Sequence, residues 1–210
     1  MSRGFESHTL RQMNSASAPG TRLRPIELGD ARVLAQVVAA SADHLRPWEP
    51  TRPPAYFTEA GQRVAVGSAL AAAASGASAP FVIESDDGEL LGRLTLSGIT
   101  RGALQSCAMG YWVRGDRVGR GHATRAVAAA LEHAFGRLGL HRVQAETLPE
   151  NAASQRVLER NGFVRFGYAP QYLRIAGEWR DHVVFQVLAP EPPERAGGSG
   201  QPDPSVTPGR

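Results

Sequence analysis

The order of apolar and polar positions along the chain predicts eleven elements. Leu23 to Glu27 reads as a short strand, and Asp30 stands where it can cap a helix that turns Val33, Leu34, Val37 and Val38 toward a core. Leu45 to Pro54 carries four prolines around Trp48, which excludes regular helix and predicts an ordered loop. A second, alanine-rich helix runs from Thr58 to Ala74, its end marked by Gly76. Phe81 to Glu84 and Leu90 to Leu96 are strand-like runs joined through Asp86, Asp87 and Gly88, an antiparallel hairpin signal. Ala108 to Val113 is the next strand. Beyond a glycine-rich segment, Arg114 to Gly121, the apolar positions Ala123, Val127, Leu131, Ala134 and Leu138 repeat at helical spacing until Gly139. His141 to Thr147 alternates as a strand, Asn151 to Arg160 is a short helix stopped by Asn161 and Gly162, and Phe163 to Arg174 with Trp179 to Leu188 form a closing hairpin. Strand, two helices, three strands, helix, strand, helix, two strands is the order of an α+β fold: a mixed, largely antiparallel twisted sheet of about seven strands flanked by about four helices.

Both ends fall outside this pattern. Residues 1–20 are polar and finish in Ser-Ala-Pro-Gly, and residues 190–210 are dominated by Pro, Gly, Ser and charge, so both are expected to be disordered around one folded domain, residues 21–189. A chain of 210 residues is long enough for one sizeable core and short for two.

Charge and cysteine usage narrow the chemistry. The formal net charge is +3, and all 23 basic residues are arginine, which excludes Schiff-base and lysine general-base chemistry. The arginines are scattered, so a nucleic-acid partner is not expected. Cys107 is the lone cysteine, which excludes an intramolecular disulfide and any multi-cysteine metal site and suits a reducing cytoplasm. No apolar run reaches the roughly 18 residues a membrane helix needs, so no membrane partner is expected, and no metal. The oligomeric state is left at monomer or homodimer.

The junction Tyr111 to Ala130 is the informative element. Glycines 115, 119 and 121 remove side chains where backbone N–H groups must approach a ligand, and the following helix aims the positive end of its dipole there. Such a junction suits an anion. A plain helix start explains the same glycines as well.

Val118-Gly119-Arg120-Gly121-His122-Ala123 resembles the pyrophosphate loop [Q/R]-x-x-G-x-[G/A] of the GNAT superfamily of acetyltransferases, with Val118 where the family prefers Gln or Arg. The resemblance implies that the backbone from Val118 to Thr124 holds the diphosphate of acetyl-CoA. It also implies that Tyr111, Trp112 and Val113 lie along the pantetheine arm, paired as an added strand would be. A backbone N–H near Val113 would donate to the thioester carbonyl. Asn151-Ala152-Ala153-Ser154, ahead of Gly162-Phe163, resembles the superfamily's N-x-x-S helix, which implies that Asn151 bonds the pantetheine amide and Ser154 lies near the sulfur. Read locally, Asn151 is also an N-cap.

The segment Tyr172-Leu173-Arg174-Ile175-Ala176-Gly177-Glu178-Trp179-Arg180-Asp181-His182-Val183 and the early Leu45-Arg46-Pro47-Trp48 resemble the bacterial branch that acetylates the N-terminal alanine or serine of ribosomal proteins. That resemblance implies Trp48, Tyr168 and Tyr172 as acceptor-binding residues. Glu146 stands where several relatives keep a carboxylate that handles the amine proton, and is equally a plain strand-end glutamate. Leu158 occupies the position at which many members keep a tyrosine acid, so Ser154, Tyr168 or water would protonate the sulfur. His122 and His141 titrate in a useful range but sit where histidines are more often structural.

An α-amine has a pKa of about 7.7 to 8.0 and a lysine side chain about 10.4, so holding lysine neutral near pH 7.4 costs about 4 kcal/mol and an α-amine well under about 1 kcal/mol. A site without an assured strong base favours the α-amine. The expectation is therefore transfer of acetyl from acetyl-CoA to the N-terminus of a protein. The alternatives are a small-molecule amine acetyltransferase or a non-catalytic acyl-CoA binding module.

Overall fold

Seven strands share one sheet in the computed structural model, which describes residues 20–190. The expectations for the tails lie outside the described residues, apart from Gly20 and Pro190. In chain order the elements are β1 (Arg22–Pro25), α1 (Ala31–Ala40), the single turn α2 (Ala42–Leu45), α3 (Glu59–Ala74), β2 (Ser78–Glu84), β3 (Leu90–Thr100), β4 (Ser106–Val113), α4 (His122–Glu132), β5 (Arg142–Thr147), α5 (Ala152–Arg160), β6 (Val164–Ile175) and β7 (Glu178–Leu188). The four long helices and seven strands match the sequence pattern; α2 and three short 3-10 turns are added, and the end of the helix expected to run to Leu138 is instead a π turn, His133–Arg137.

Local chemistry explains most boundaries. Thr58 caps α3 by accepting the Gly61 N–H at 3.1 Å, and Asn151 caps α5 by accepting that of Ser154 at 3.1 Å. Gly139 and Gly162, with φ of 61° and 79°, take up the left-handed residue that closes a helix. Asp30 does not cap α1 through its side chain as expected. It accepts the Glu27 N–H at 2.7 Å, closing a preceding 3-10 turn, and holds Arg24 at 2.8 Å. Val33 is 43% exposed, at the margin of a stripe formed by Leu34, Ala35, Val37 and Val38.

The sheet order is β1-β2-β3-β4-β5-β7-β6, antiparallel throughout except for β4 against β5. One face carries α4 and α5: Ala126, Val127, Ala130, Leu131 and Leu158 pack on Leu94, Leu96, Val143, Ala145, Val183 and Phe185. On the other face Leu34, Val37 and Val66 from α1 and α3 pack on Val82, Leu90 and Trp112. Each such fully buried aliphatic side chain contributes about 1.5–3 kcal/mol, so both faces are packed over β1 to β4, and the α4–α5 face continues over β5 and β7.

Candidate active site

The parallel pair β4 and β5 is joined only by Ser106 to Ala108 against Arg142 to Gln144. Beyond these residues the two strands part, leaving Met109–Val113 and Ala145–Thr147 without each other. The Arg114 N–H donates to Leu91 O at 2.8 Å, and the β3–β4 register pairs Gly92 with Val113. In an antiparallel ladder this sends the backbone groups of Trp112 and Gly110 toward β3 and those of Met109, Tyr111 and Val113 toward the gap. Polar backbone groups facing a gap require a partner.

A cleft of about 380 Å³ fills the gap and runs through the sheet from one face to the other. On the α5 side it is lined by Tyr111, Asn151, Ser154 and Leu158. The Tyr111 hydroxyl lies 2.9 Å from Ser154 Oγ, and burial pushes its pKa up to about 12, so it stays protonated. On the opposite side the cleft is lined by Trp48, Glu49, Arg52, Tyr56, Arg93, Glu146 and His182. Burial raises the pKa of Glu146, against the pull of the neighbouring Tyr172 hydroxyl and of its own backbone. Tyr172 packs its ring on that of buried His182, with centroids 5.4 Å apart, and His182 Nδ1 lies 3.0 Å from Arg180 O. A raised carboxyl beside a phenol, across a gap from a second hydroxyl pair, is an arrangement for moving protons between two reactants.

The hairpin of β6 and β7 roofs the acceptor side. Its tip, Ala176-Gly177, has φ of 48° and 91°, and the Ala176 N–H donates to Glu49 O at 3.0 Å. The proline-bearing loop after α2 is thereby tied to the far edge of the sheet, and Trp48 and Glu49 are held over the cleft.

The glycine loop lies outside that cleft, at the start of α4. Gly119 and Gly121 have φ of 76° and 80°, conformations open to glycine, and no side chain caps the helix. Its first-turn amides therefore face outward. The loop is braced: Arg125 donates to Arg120 O at 2.9 Å and to Thr21 Oγ1 at 3.0 Å, and Thr21 Oγ1 lies 2.7 Å from His122 Nδ1. Burial, first, and the nearby guanidinium of Arg125, second, lower the pKa of His122, whose Nδ1 is tied to Thr21. Arg114 and Arg117 are engaged by Glu89 at 2.6 and 3.0 Å, while Arg120 forms no ion pair among the described residues. The Val118 side chain is 50% exposed, so the departure from the loop pattern at this position introduces no clash.

Of the residues singled out in the sequence, Trp48, Tyr111, Trp112, Glu146, Asn151 and Ser154 line one cleft, and Tyr172 stands at Glu146. The segment Val118 to Thr124 forms the separate amide site, and Val113 is buried at the end of β4. Tyr168 is not brought in: it lies exposed on β6, where its hydroxyl donates to Asp181 at 2.6 Å. His141 is exposed at the start of β5, away from the cleft lining. Glu49, Arg52, Tyr56 and Arg93 were missed, because nothing local in a proline-rich loop or a mid-strand arginine signals a ligand. Cys107 is 3% exposed, outside the cleft, and burial pushes its pKa up to about 11, which rules it out as an acyl carrier. Among the described residues no cluster of His, Cys, Asp or Glu suits a metal, and no helix is long and apolar enough to cross a membrane.

Known proteins resemble this chain in sequence and in fold. Residues 21–164 match the family described as the acetyltransferase (GNAT) domain. The chain is 33% identical over 170 residues to the probable N-acetyltransferase YjcK of Bacillus subtilis, covering 80% of this chain and 94% of that one. It is 32% identical over 163 residues to the [ribosomal protein uS5]-alanine N-acetyltransferase of Escherichia coli, covering 77% and 84%. The solved structure of Mycobacterium smegmatis RimJ in complex with CoA-disulfide superposes with a TM-score of 0.78 at 38% identity, covering 80% of this chain and 82% of that one.

Proposed function

This chain belongs to the GNAT acetyltransferase family, and on that footing we propose that it transfers acetyl from acetyl-CoA to the N-terminal α-amine of a protein, in the manner of its ribosomal-protein relatives. The observation that carries the reading is the gap between β4 and β5: it presents an unpaired strand edge to one reactant and a carboxyl-bearing wall to the other, and it joins the two faces of the sheet. The likeness to an enzyme that acetylates the alanine of uS5 supports the choice of acceptor.

Each role follows from position. The outward amides of Gly119 to Thr124 take the diphosphate, since a helix N-terminus favours negative charge. The gap-facing backbone of Met109, Tyr111 and Val113 pairs with the pantetheine as a strand would, and the Val113 N–H supports the thioester oxygen as charge develops on it. Asn151 serves the pantetheine amide, and Trp48 and Tyr172 wall the acceptor. The amine nitrogen forms the new C–N bond as the C–S bond breaks. Glu146 receives the amine proton through water, and the Tyr111–Ser154 hydroxyl pair protonates the departing sulfur. Tyr111 thus joins Ser154 in the task for which the sequence offers Ser154, Tyr168 or water. Transfer is direct in this reading, and the burial of Cys107 supports it. Such an enzyme would act in the cytoplasm, where acetyl-CoA and new protein N-termini meet.

The test is a set of peptides beginning with Ala, Ser or Thr against free amines such as polyamines and amino acids, followed by thiol release and by mass. Peptides are expected to win. If free amines exceed the best peptide by more than about tenfold in kcat/KM, the acceptor assignment fails.

A further inference from the structure

Arg93 is the group the reaction scheme leaves unused. It sits in the middle of β3, opposite Trp112, and faces the cleft rather than solvent. Arginines 22, 24, 46, 52, 114, 117 and 180 each hold a carboxylate within 4 Å. Arg93 has neither an ion pair nor a side-chain hydrogen bond among the described residues. The carboxylates nearest to it are engaged elsewhere: Glu49 with Arg52 at 3.6 Å, and Asp30 with Arg24 at 2.8 Å. Arg52 in turn lies over the Tyr56 ring at 4.7 Å, so the loop that covers Arg93 is itself tied down.

A guanidinium stays charged at any physiological pH and presents five N–H donors. Burial works against that charge here, and it works against the carboxylate of Glu49 as well. Among themselves Glu49, Arg52 and Arg93 leave one positive charge without a carboxylate, on the same side of the sheet as Glu146 and across the gap from it. A partly dehydrated cation without a partner is costly unless a ligand supplies one.

We infer that Arg93, framed by Glu49 and Arg52, is a carboxylate subsite for the acetyl acceptor, so that favoured acceptors carry an acidic side chain at the second or third residue behind the amine. The position follows from the sheet. β3 and β5 are separated by β4, hence by at least about 10 Å at about 4.8 Å per strand. An extended peptide advances about 3.3–3.6 Å per residue. An amine at Glu146 thus places the side chain of residue 2 or 3 at Arg93.

The inference rests on the α-amine reading, and one experiment separates the two. Matched peptides Ala-Asp-Ala and Ala-Asn-Ala, and Ala-Ala-Asp and Ala-Ala-Asn, each extended by the same neutral tail, are assayed for kcat and KM with the wild type, Arg93→Met and Arg93→Lys. In parallel their binding is measured calorimetrically in the presence of CoA. Charge-assisted hydrogen bonds of this kind give a preference of about tenfold or more in KM for the acidic member of one pair. Arg93→Met should erase that difference, Arg93→Lys should retain part of it, and the KM for acetyl-CoA should not follow. Equal KM values for Asp and Asn members on the wild type overturn the subsite whether or not a variant folds. So does an Arg93→Met effect that is the same on both members, or a preference for free amino acids over their amides. If no peptide is acetylated the α-amine reading fails instead, and the calorimetric Asp-to-Asn ratio still decides the subsite.

Discussion

Gly92 stands in β3 opposite Val113 of β4. A methyl group added there would lie 2.0 Å from the carbonyl oxygen of Trp112 and 3.0 Å from Val113 Cα, whereas ordinary contact begins at 3.4 Å. Every neighbour at that distance is backbone, so no rotamer change relieves the overlap, and Gly92→Ala must push the strands apart by about 1.4 Å, the difference between 3.4 and 2.0 Å. Backbone displacements of this kind cost about 1–3 kcal/mol. For a domain of this size each kcal/mol lowers Tm by about 2–4 °C. The displaced residue is also the one whose N–H is assigned to the thioester oxygen, and a misplacement of about 1 Å there costs about 100-fold in rate. The assay is calorimetric melting together with kcat/KM for an Ala-initiated peptide, measured well below the melting range so that the folded fraction is constant. Gly67→Ala in α3, where a methyl meets nothing within 4 Å, is the control and should melt at the same or a higher temperature. A Gly92→Ala enzyme with unaltered Tm and unaltered kcat/KM would refute both the close approach and the role given to the end of β4.

Other substitutions probe the remaining assignments. Glu146→Gln should lower kcat by about 100-fold or more with little change in the KM for acetyl-CoA; equal turnover removes Glu146 from the mechanism. Its effect on stability has the opposite sign. Folding raises this carboxyl's pKa above the ordinary 4.5, so its contribution is fully favourable below pH 4.5 and is lost as pH rises through the folded value. The Gln variant should therefore match or exceed the wild type in Tm at pH 7 and show a flatter decline above pH 4.5. A wild-type advantage at pH 7 would contradict this. Gly121→Glu should reduce acetyl-CoA affinity by at least about 100-fold, since the position needs φ of 80° and any Cβ lies 2.8 Å from Arg125 Nη1, and the new carboxylate repels the diphosphate. Titration calorimetry that shows unaltered binding would move the diphosphate elsewhere. Tyr111→Phe should lower kcat by about tenfold or more through lost proton donation while the KM for acetyl-CoA stays within about twofold, and unaltered kcat would take the Tyr111–Ser154 pair out of sulfur protonation.

The gap between what was legible and what was not follows the range of the interactions. Helix caps at Thr58 and Asn151, the Gly119 and Gly121 conformations and the Asp86-Asp87-Gly88 hairpin turn depend on residues a few positions apart, so the pattern of the chain contains them. The same pattern placed Glu146 near the end of β5. It could not separate Tyr168 from Tyr172. These meet successive residues of β7, Asp181 and His182, which point to opposite faces, across a β6 irregularity between Ala169 and Leu173 that includes Gln171 at φ 47°. Nor could it show that Arg93 faces a cleft, because a lone charged residue in a strand is ordinarily a solvent-facing one.

Taken alone, then, the amino-acid order determined the elements, their sequence along the chain and the amide-bearing turn at α4, all consequences of steric and hydrogen-bonding preferences within a single segment. Tertiary structure decided which strands part and what gathers at the opening: β5 pairs with β7 rather than continuing along β4, and the loop of Trp48 and Glu49 is drawn across the sheet by the Ala176 N–H. Contacts between residues tens of positions apart in the sheet pairings, and more than a hundred apart between Ala176 and Glu49, are set by which surfaces can be buried together, and that competition has no signature in any short stretch of chain.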